Sequence, residues 1–380
     1  MATLEGRPVD RPAVSFYEIG GLKMNPSDPD PFNIYRDPSW RPLLSLAEEK
    51  TDLIRMRSPV RAQSHQAWDA PQAAPQGPRS EFFTTEQYLD QGCRMVRTTL
   101  RIAGRVMTSL TRRDPDVDTV WTVEHLLKSH EDVEAYLQLP DDAFAETIDV
   151  SPLIDEERRL GERGIVMVDT EDPLCAAATL FSMGDFTIVA MTQGNLFHRL
   201  LKKCARVIHH RTEVVARQFP GRLWRIYGPE FATEPYLPPH LFDEYVVRYT
   251  GPMVEAIRRT GGFARIHIHG RIRNVLDSVV RMGADAIDPI EPPPQGDVDL
   301  AFVRAKCGHA LVLFGNLEIA DVENAEPDQF EKIVRKTLAD GTQGDGRGFV
   351  LMPSACPYGR TVSTRTLRNY ETMIRCVEEL

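Results

Sequence analysis

From about residue 150 onward the chain alternates between two hydrophobic rhythms. The runs "GIVMVDTEDP", "LWRIYGPE", "FARIHIHG", "ADAIDPIEPP", "HALVLFGN" and "GFVLMPSAC" are short and rich in β-branched residues, as buried strands are. Between them, "PPHLFDEYVVRYTGPMVEAIRRT", "IRNVLDSVVRM", "VDLAFVRAKC" and "PDQFEKIVRKTLAD" repeat apolar residues at helical spacing and end on Pro, Gly or Asp. This alternation predicts a parallel sheet with helical crossovers. "AVSFYEIGG" near the start makes a seventh strand, and "TIVAM" at 187–191 reads either as strand or as a backward extension of the helix expected over "NLFHRLLKKCARVIHHRTEVVARQF". Seven or eight strands in this rhythm predict the α/β class and a (β/α)8 TIM barrel. An open nucleotide-binding sheet would need a G-x-G-x-x-G turn after a strand, and none is present.

The first 150 residues read differently. "TTLRIAGRVMTSLTRRD", interrupted by Gly104, and "TVWTVEHLLKS" after a polar "DPDVD" turn predict an antiparallel hairpin inserted near 98–125. Residues 61–80 are rich in Ala, Gln and Pro and have too little apolar surface to offset the entropy of ordering, which predicts a mobile loop. The expected organisation is an N-terminal extension and loop over 1–80, belonging to the barrel domain, and the barrel itself over 81–380. "GDGRG" at 344–348 precedes a strand and is a turn.

Composition narrows the function. The chain has 380 residues and a formal net charge of −10, which gives no electrostatic footprint for nucleic acid or an anionic membrane. No apolar run is long enough to span a bilayer, and "MATLEGRPVDRPAV" lacks the build of a signal peptide. Six cysteines without a short repeated spacing fit free thiols in a reducing compartment, so a cytoplasmic location is expected.

In a barrel, ligand-binding groups come from the C-terminal ends of strands and the loops that follow. Those ends carry Asp169 and Asp172, Tyr227 and Glu230, His267 and His269, Asp288 and Glu291, Asn316, and Ser354 and Cys356. His267 and His269 are two apart on one strand, so their side chains point the same way. With the Cys356 thiol they could share Zn2+, which accepts nitrogen, sulfur and carboxylate oxygen together and keeps an open position when catalytic. The structural alternative leaves both imidazoles as hydrogen-bonded scaffold and Cys356 as a small buried hydrophobe. Glu230 and Glu291 could equally cap helices or pair with arginine, Asn316 could cap a turn, and Asp169 and Asp172 are common turn formers.

The segments "GPEFATEPYLPPHLFDEYVVRYTGPMVEAIR", "IHIHGRIRNVLDSVVRMGADAIDPIE", "VLFGNLE" and "LMPSACPYG…NYETMI" resemble the uroporphyrinogen decarboxylase superfamily from about 150 to the C-terminus, and more loosely before. The resemblance implies a (β/α)8 barrel, in agreement with the strand count. True decarboxylases of that superfamily carry an arginine-rich N-terminal segment that holds substrate carboxylates. Here "SFYEIGG" stands there, with Glu18 and no arginine. The resemblance therefore points to the cobamide-dependent methyltransferase branch, some of whose members bind zinc through a His-x-Cys pair and a later Cys. His267 matches that motif, His269 replaces its cysteine, and Cys356 falls at the later one.

That branch implies transfer of a methyl group between a small methylated molecule, methyl ethers among the candidates, and a corrinoid. Zn2+ would be held by His267, His269 and Cys356, with Glu230, Glu291 and Asn316 as catalytic groups around it. No D-x-H-x-x-G segment of the kind seen in corrinoid-binding domains is present, so the corrinoid would arrive on a separate partner protein. Two other functions stay open: a metal-free lyase acting on a carboxylated substrate, and a non-catalytic binding protein on the barrel scaffold.

Overall fold

The computed structural model describes residues 1–22, 24–61, 77–344 and 348–380. One parallel sheet is built from eight strands. They are β1 (Ala13–Val14), β2 (Leu53–Arg57), β3 (Gly164–Glu171) and β4 (Leu223–Tyr227), then β5 (Phe263–Ile268), β6 (Ala286–Pro289), β7 (Val312–Leu317) and β8 (Phe349–Pro353). Their order in space is β1-β8-β7-β6-β5-β4-β3-β2, so β1 and β2 are the two ends of the sheet. Asp52 joins those ends. Its N–H donates to the Val14 carbonyl at 2.8 Å, while its Oδ2 accepts from the Val14 N–H at 2.9 Å and from Arg11 at 2.8 Å. Polar bonds thus close the curled sheet where a regular ladder is missing, and the fold is the expected TIM barrel.

All seven runs read as strands lie in this sheet. The eighth is β2, which the apolar pattern did not reveal because "LIRMR" alternates in arginine. Those arginines have partners on other elements: Arg55 bonds Glu48 at 2.6 Å, and Arg57 lies 3.2 Å from Glu156. β1 and β2 both fall within residues 1–80, so that stretch supplies barrel wall; most of the Ala-, Gln- and Pro-rich part of it lies outside the described residues. "TIVAM" belongs to the helix Met183–Thr192, whose start is capped by the Ser182 hydroxyl accepting from the Asp185 N–H at 3.1 Å.

The expected hairpin is part of a larger antiparallel sheet of Phe83–Asp90, Cys93–Ile102, Arg105–Arg113 and Val120–Glu124. Its two tight connections, Gln91-Gly92 and Ala103-Gly104, hold both residues at positive φ (49° and 81°, 51° and 73°). That is the two-residue hairpin geometry that matches the natural strand twist, and it wants glycine in the second place. One face of the sheet sends Phe83, Leu100 and Met107 into the main core. The outer strand "FTTEQYLD" went unread because its polar residues leave only a weak alternation.

Inside the barrel the register stacks side chains in layers. Met56, Met167, Leu223, Ala286, Val312, Phe314, Val350 and Met352 form one apolar cluster. Two residues further along β3, β4, β5 and β6, the inward positions become Asp169, Arg225, Arg265 (one step above Phe263) and Asp288 (one step above Ala286). The apolar layer is the floor on which the site is built.

Candidate active site

The charged layer above the floor is paired within itself. Arg225 donates to Asp169 through Nε at 2.6 Å and Nη2 at 3.3 Å, and also bonds the Tyr17 hydroxyl. Arg265 is 1% exposed and Asp288 is fully buried, with Arg265 Nε 2.9 Å from Asp288 Oδ1. The angle there is too poor for a hydrogen bond, so this is an ion pair only. Burial is tolerable for these charges because each has an opposite neighbour.

Directly above sits the imidazole pair. His267 Nδ1 meets Asp288 Oδ2 at 2.7 Å, and His269 Nδ1 meets Glu291 Oε1 at 2.7 Å. His267 of β5 and His269 just after it are each aimed by a carboxylate, Asp288 of β6 and Glu291 in the loop after it, and the two rings lie edge to face with centroids 4.6 Å apart. Glu291 is itself fixed by the Gly270 N–H at 2.7 Å. This is the orientation expected of imidazoles that present Nε2 to a ligand, with Nδ1–H anchored behind.

Their environments nevertheless drive them apart. Burial pushes His267 down to about 3 against the pull of Asp288, so it is neutral near pH 7 and its Nε2 lone pair is free. Asp288, which burial alone would raise, is held down to about 2 by Arg265, His267 and Arg225. Around His269 burial also disfavours the charge, but the hydrogen bond it donates to Glu291 and the fields of Glu291 and Glu230 win and raise it. One fold thus drives two neighbouring imidazoles in opposite directions, His267 toward the neutral form and His269 toward the protonated one, the pattern that separates a base from an acid.

The other expected residues divide. Glu230, after β4, accepts from the Gly228 N–H at 3.0 Å and feels His269; burial raises it. Cys356, after β8, is 3% exposed, and its thiol donates to Glu18 Oε2 at 2.8 Å. Burial raises Glu18. Asn316 donates to the Ile290 carbonyl at 3.1 Å and accepts from Thr337 at 3.4 Å, which ties β7 to the helix Pro327–Thr342. Asp172 caps a helix by accepting from the Cys175 N–H at 2.6 Å and from Thr250 at 2.9 Å; burial pushes it up to about 8. Among the described residues, no three His, Cys, Asp or Glu side chains are gathered as a metal site. The two imidazoles are brought together, whereas Cys356 is engaged with Glu18.

Three participants escaped the sequence reading. Arg225 and Arg265 sit two positions before Tyr227 and His267, so the same period of two that pairs the histidines would have placed them on the inner face. Glu318 follows β7 at the start of the helix Ile319–Asn324 but makes no capping bond. It is 7% exposed, one of its oxygens has no partner, and the other lies 3.5 Å from the Ser354 hydroxyl. Burial, then Glu291 and Asp321, push it up to about 7.

Fold and site together define a (β/α)8 barrel with an imidazole pair, a thiol and several buried carboxylates at its C-terminal mouth. The sequence model of uroporphyrinogen decarboxylase (URO-D) matches residues 117–380, and the chain belongs to that family. In structure it is similar to a methyltransferase from Methanosarcina mazei, at a TM-score of 0.61 and 15% identity, covering 100% of this chain and 96% of that one. Identity this low speaks for the fold. A mannanase from Bacillus subtilis aligns at a TM-score of 0.42 and 10% identity over 98% of this chain and 87% of its own. A D-psicose 3-epimerase from Clostridium cellulolyticum H10 aligns at 0.33 and 11% over 61% and 93%. Neither of these two carries an argument. No curated protein is similar enough in sequence to count as a relative. No helix among the described residues is long and apolar enough to cross a membrane.

Proposed function

We propose that this protein is an enzyme, a methyltransferase that moves a methyl group between a small methylated molecule and a corrinoid protein. The observation that carries this reading is the charge of the barrel mouth. Glu18, Glu230, Glu291 and Glu318 stand there, while the interior arginines Arg225 and Arg265 are already committed to Asp169 and Asp288. A substrate bearing several carboxylates would find no free guanidinium from that pair and would meet four acids. Family membership together with this mouth favours the methyltransferase branch over decarboxylation, and likeness in fold to the Methanosarcina mazei methyltransferase agrees with it.

The chain's own residues would orient the substrate and manage protons. Neutral His267 offers Nε2 to an electron-poor group, and His269, holding a proton against Glu291, can donate to a departing heteroatom. Asp288 of the charged layer fixes the His267 ring and Glu291 fixes the His269 ring, so little reorganisation accompanies charge development. Zn2+ held at His267 and His269 would take the place of that His269 proton and, with Cys356 released from Glu18 as a third donor, would supply Lewis acidity for a leaving or attacking heteroatom. The corrinoid protein would cover the mouth over the loops after Glu230, His269 and Glu291. Because it must leave again, that interface should be small and weak.

Two assays test the proposal. No coproporphyrinogen should form from uroporphyrinogen; formation at an ordinary enzymatic rate would favour the lyase instead. Metal analysis should show zinc that His269→Ala lowers, and full zinc occupancy in a His267→Ala, Cys356→Ala double variant would rule out this ligand set.

A further inference from the structure

The charged layer is sealed on one side and open on the other. Arg265 and Asp288, on β5 and β6, keep 1% and none of their side-chain surface exposed, whereas Arg225 and Asp169, on β4 and β3, keep 11% and 19%. Met167 and Leu223 close the floor beneath the second pair, so that surface opens upward into the mouth. A molecule whose reacting heteroatom meets His267 and His269, or an ion they hold, thus has room for the rest of its body over β3 and β4. Tyr227 ends β4 on the same inward row as Leu223 and Arg225. It pairs in register with Glu171 on one side and His267 on the other, which puts it between the open wall and the imidazoles. Its ring lies 5.3 Å from the Arg225 guanidinium, which also meets the Tyr17 ring at 5.4 Å. The charges of this wall are matched: Asp169 holds Arg225, and Glu171 accepts from Arg211 of the helix Gly194–Gln218 at 2.7 Å. The Tyr227 hydroxyl is uncommitted. Among the described residues it has no hydrogen-bond partner, and the residue keeps part of its surface exposed. Burial, then Glu171 and Asp169, raise it well above an ordinary phenol, so it holds its proton as a donor.

We infer that Tyr227 binds the part of the methylated molecule that stays behind, and that this part carries a hydroxyl group. This rests on the methyltransferase reading and narrows its substrate class. A hydroxyl can accept from the Tyr227 O–H and donate its own hydrogen to the carboxylate of Glu171 or Asp169, whose oxygens keep acceptor capacity after their arginine bonds. A carbonyl or ether oxygen can do the first and not the second. An alkyl group in the same place would strip water from the phenol and leave its O–H unpaired, which is how a polar site rejects an analogue that lacks the matching group. No bond is made or broken at Tyr227. It sets specificity by turning the molecule so that the methyl-bearing atom faces the imidazole pair.

Ethylene glycol monomethyl ether and methyl propyl ether have nearly the same shape and differ by a hydroxyl in place of a methyl group. Their dissociation constants for the intact protein, measured by ligand-observed NMR, test the site apart from catalysis. The alcohol should bind about tenfold more tightly than the propyl ether. Tyr227→Phe should bring that ratio close to one while thermal unfolding stays as in the wild type; a tyrosine with a structural role alone would leave the ratio as it was. In wild-type protein carrying tyrosine labelled at Cζ, the Tyr227 resonance should move with the alcohol and stay still with the propyl ether, a reading that holds should the variant fold poorly. A ratio near one in the wild type, no binding of either probe, or an unchanged ratio in the folded variant would overturn the proposal. If the ratio behaves as expected but no donor methylates a cobalt(I) corrinoid protein, the Tyr227 site stands and the methyltransferase reading falls.

Discussion

At the floor of the barrel, Met167, Leu223, Phe263 and Ala286 fill space with side chains that ask only for volume. Two residues further along the same strands, Asp169, Arg225, Arg265 and Asp288 fill the same cross-section with groups that each need a particular neighbour. Both layers are buried by the same strands, yet they answer to different physics. Burial of the floor is non-directional and tolerates exchange among apolar residues of similar volume. Burial of the charged layer stands only while each charge keeps its partner, and in return its Asp288 holds the His267 imidazole in a fixed orientation. The lower half of the barrel can afford to drift in sequence; the upper half cannot.

The largest expected effect breaks the upper layer. Asp288→Ala leaves Arg265 buried without its counter-charge and frees His267, and should cost about 3–5 kcal/mol in urea unfolding. A loss under about 1 kcal/mol would mean that Arg265 finds water and that the layer is not held by pairing.

Acid should separate the two layers next. His267 is neutral in the fold down to about pH 3, whereas an unfolded histidine takes its proton near 6.5. The unfolded chain therefore binds more protons between those values, and this contribution, fully present above about 6.5, is lost as pH falls toward 3. Asp288, held to about 2, adds stability above the ordinary carboxyl range that disappears only as pH drops through 2. Asp172 and Glu318, raised to about 8 and about 7, act in the opposite sense over the same range, so the test is a difference: between pH 7 and 5 the urea midpoint of His267→Gln should fall less, or rise more, than that of the wild type. An unchanged slope in the variant would place the acid sensitivity elsewhere.

The smallest effect belongs to the floor. Met167→Leu, which nearly conserves volume, should cost under about 1.5 kcal/mol and leave metal content and ligand binding as they were. Lost binding from that change would show the two layers to be coupled.

Much of this contrast was open to inspection in the sequence. Six strands after residue 150 were legible because barrel strands are buried on both faces and read as apolar runs. β2 was not, because Arg55 and Arg57 are satisfied by Glu48 and Glu156, partners distant in sequence or on another element. His267, His269, Glu230, Glu291 and Cys356 could be placed at the mouth from strand ends alone. What could not be read was which of them meet. Nothing in "HIHG" or "PSACP" says that His269 finds Glu291 or that Cys356 finds Glu18, since those contacts join different strands. The opposite shifts of His267 and His269 were likewise hidden, because they depend on burial beside Asp288 for one and on Glu291 and Glu230 beside the other. Asn316 was read as a mouth residue, and its amide is spent on Ile290 and Thr337.

The central claim, that this mouth passes a methyl group to a corrinoid, is tested most directly by isotope. The purified protein would be mixed with a cobalt(I) corrinoid protein from the same organism and a panel of donors labelled in the methyl group, including methyl ethers. The account predicts loss of the cobalt(I) absorbance together with label on the corrinoid, abolished by a His267→Ala, His269→Ala double variant that still folds. Label that never leaves the donor, across the whole panel and with the wild-type protein, would contradict it.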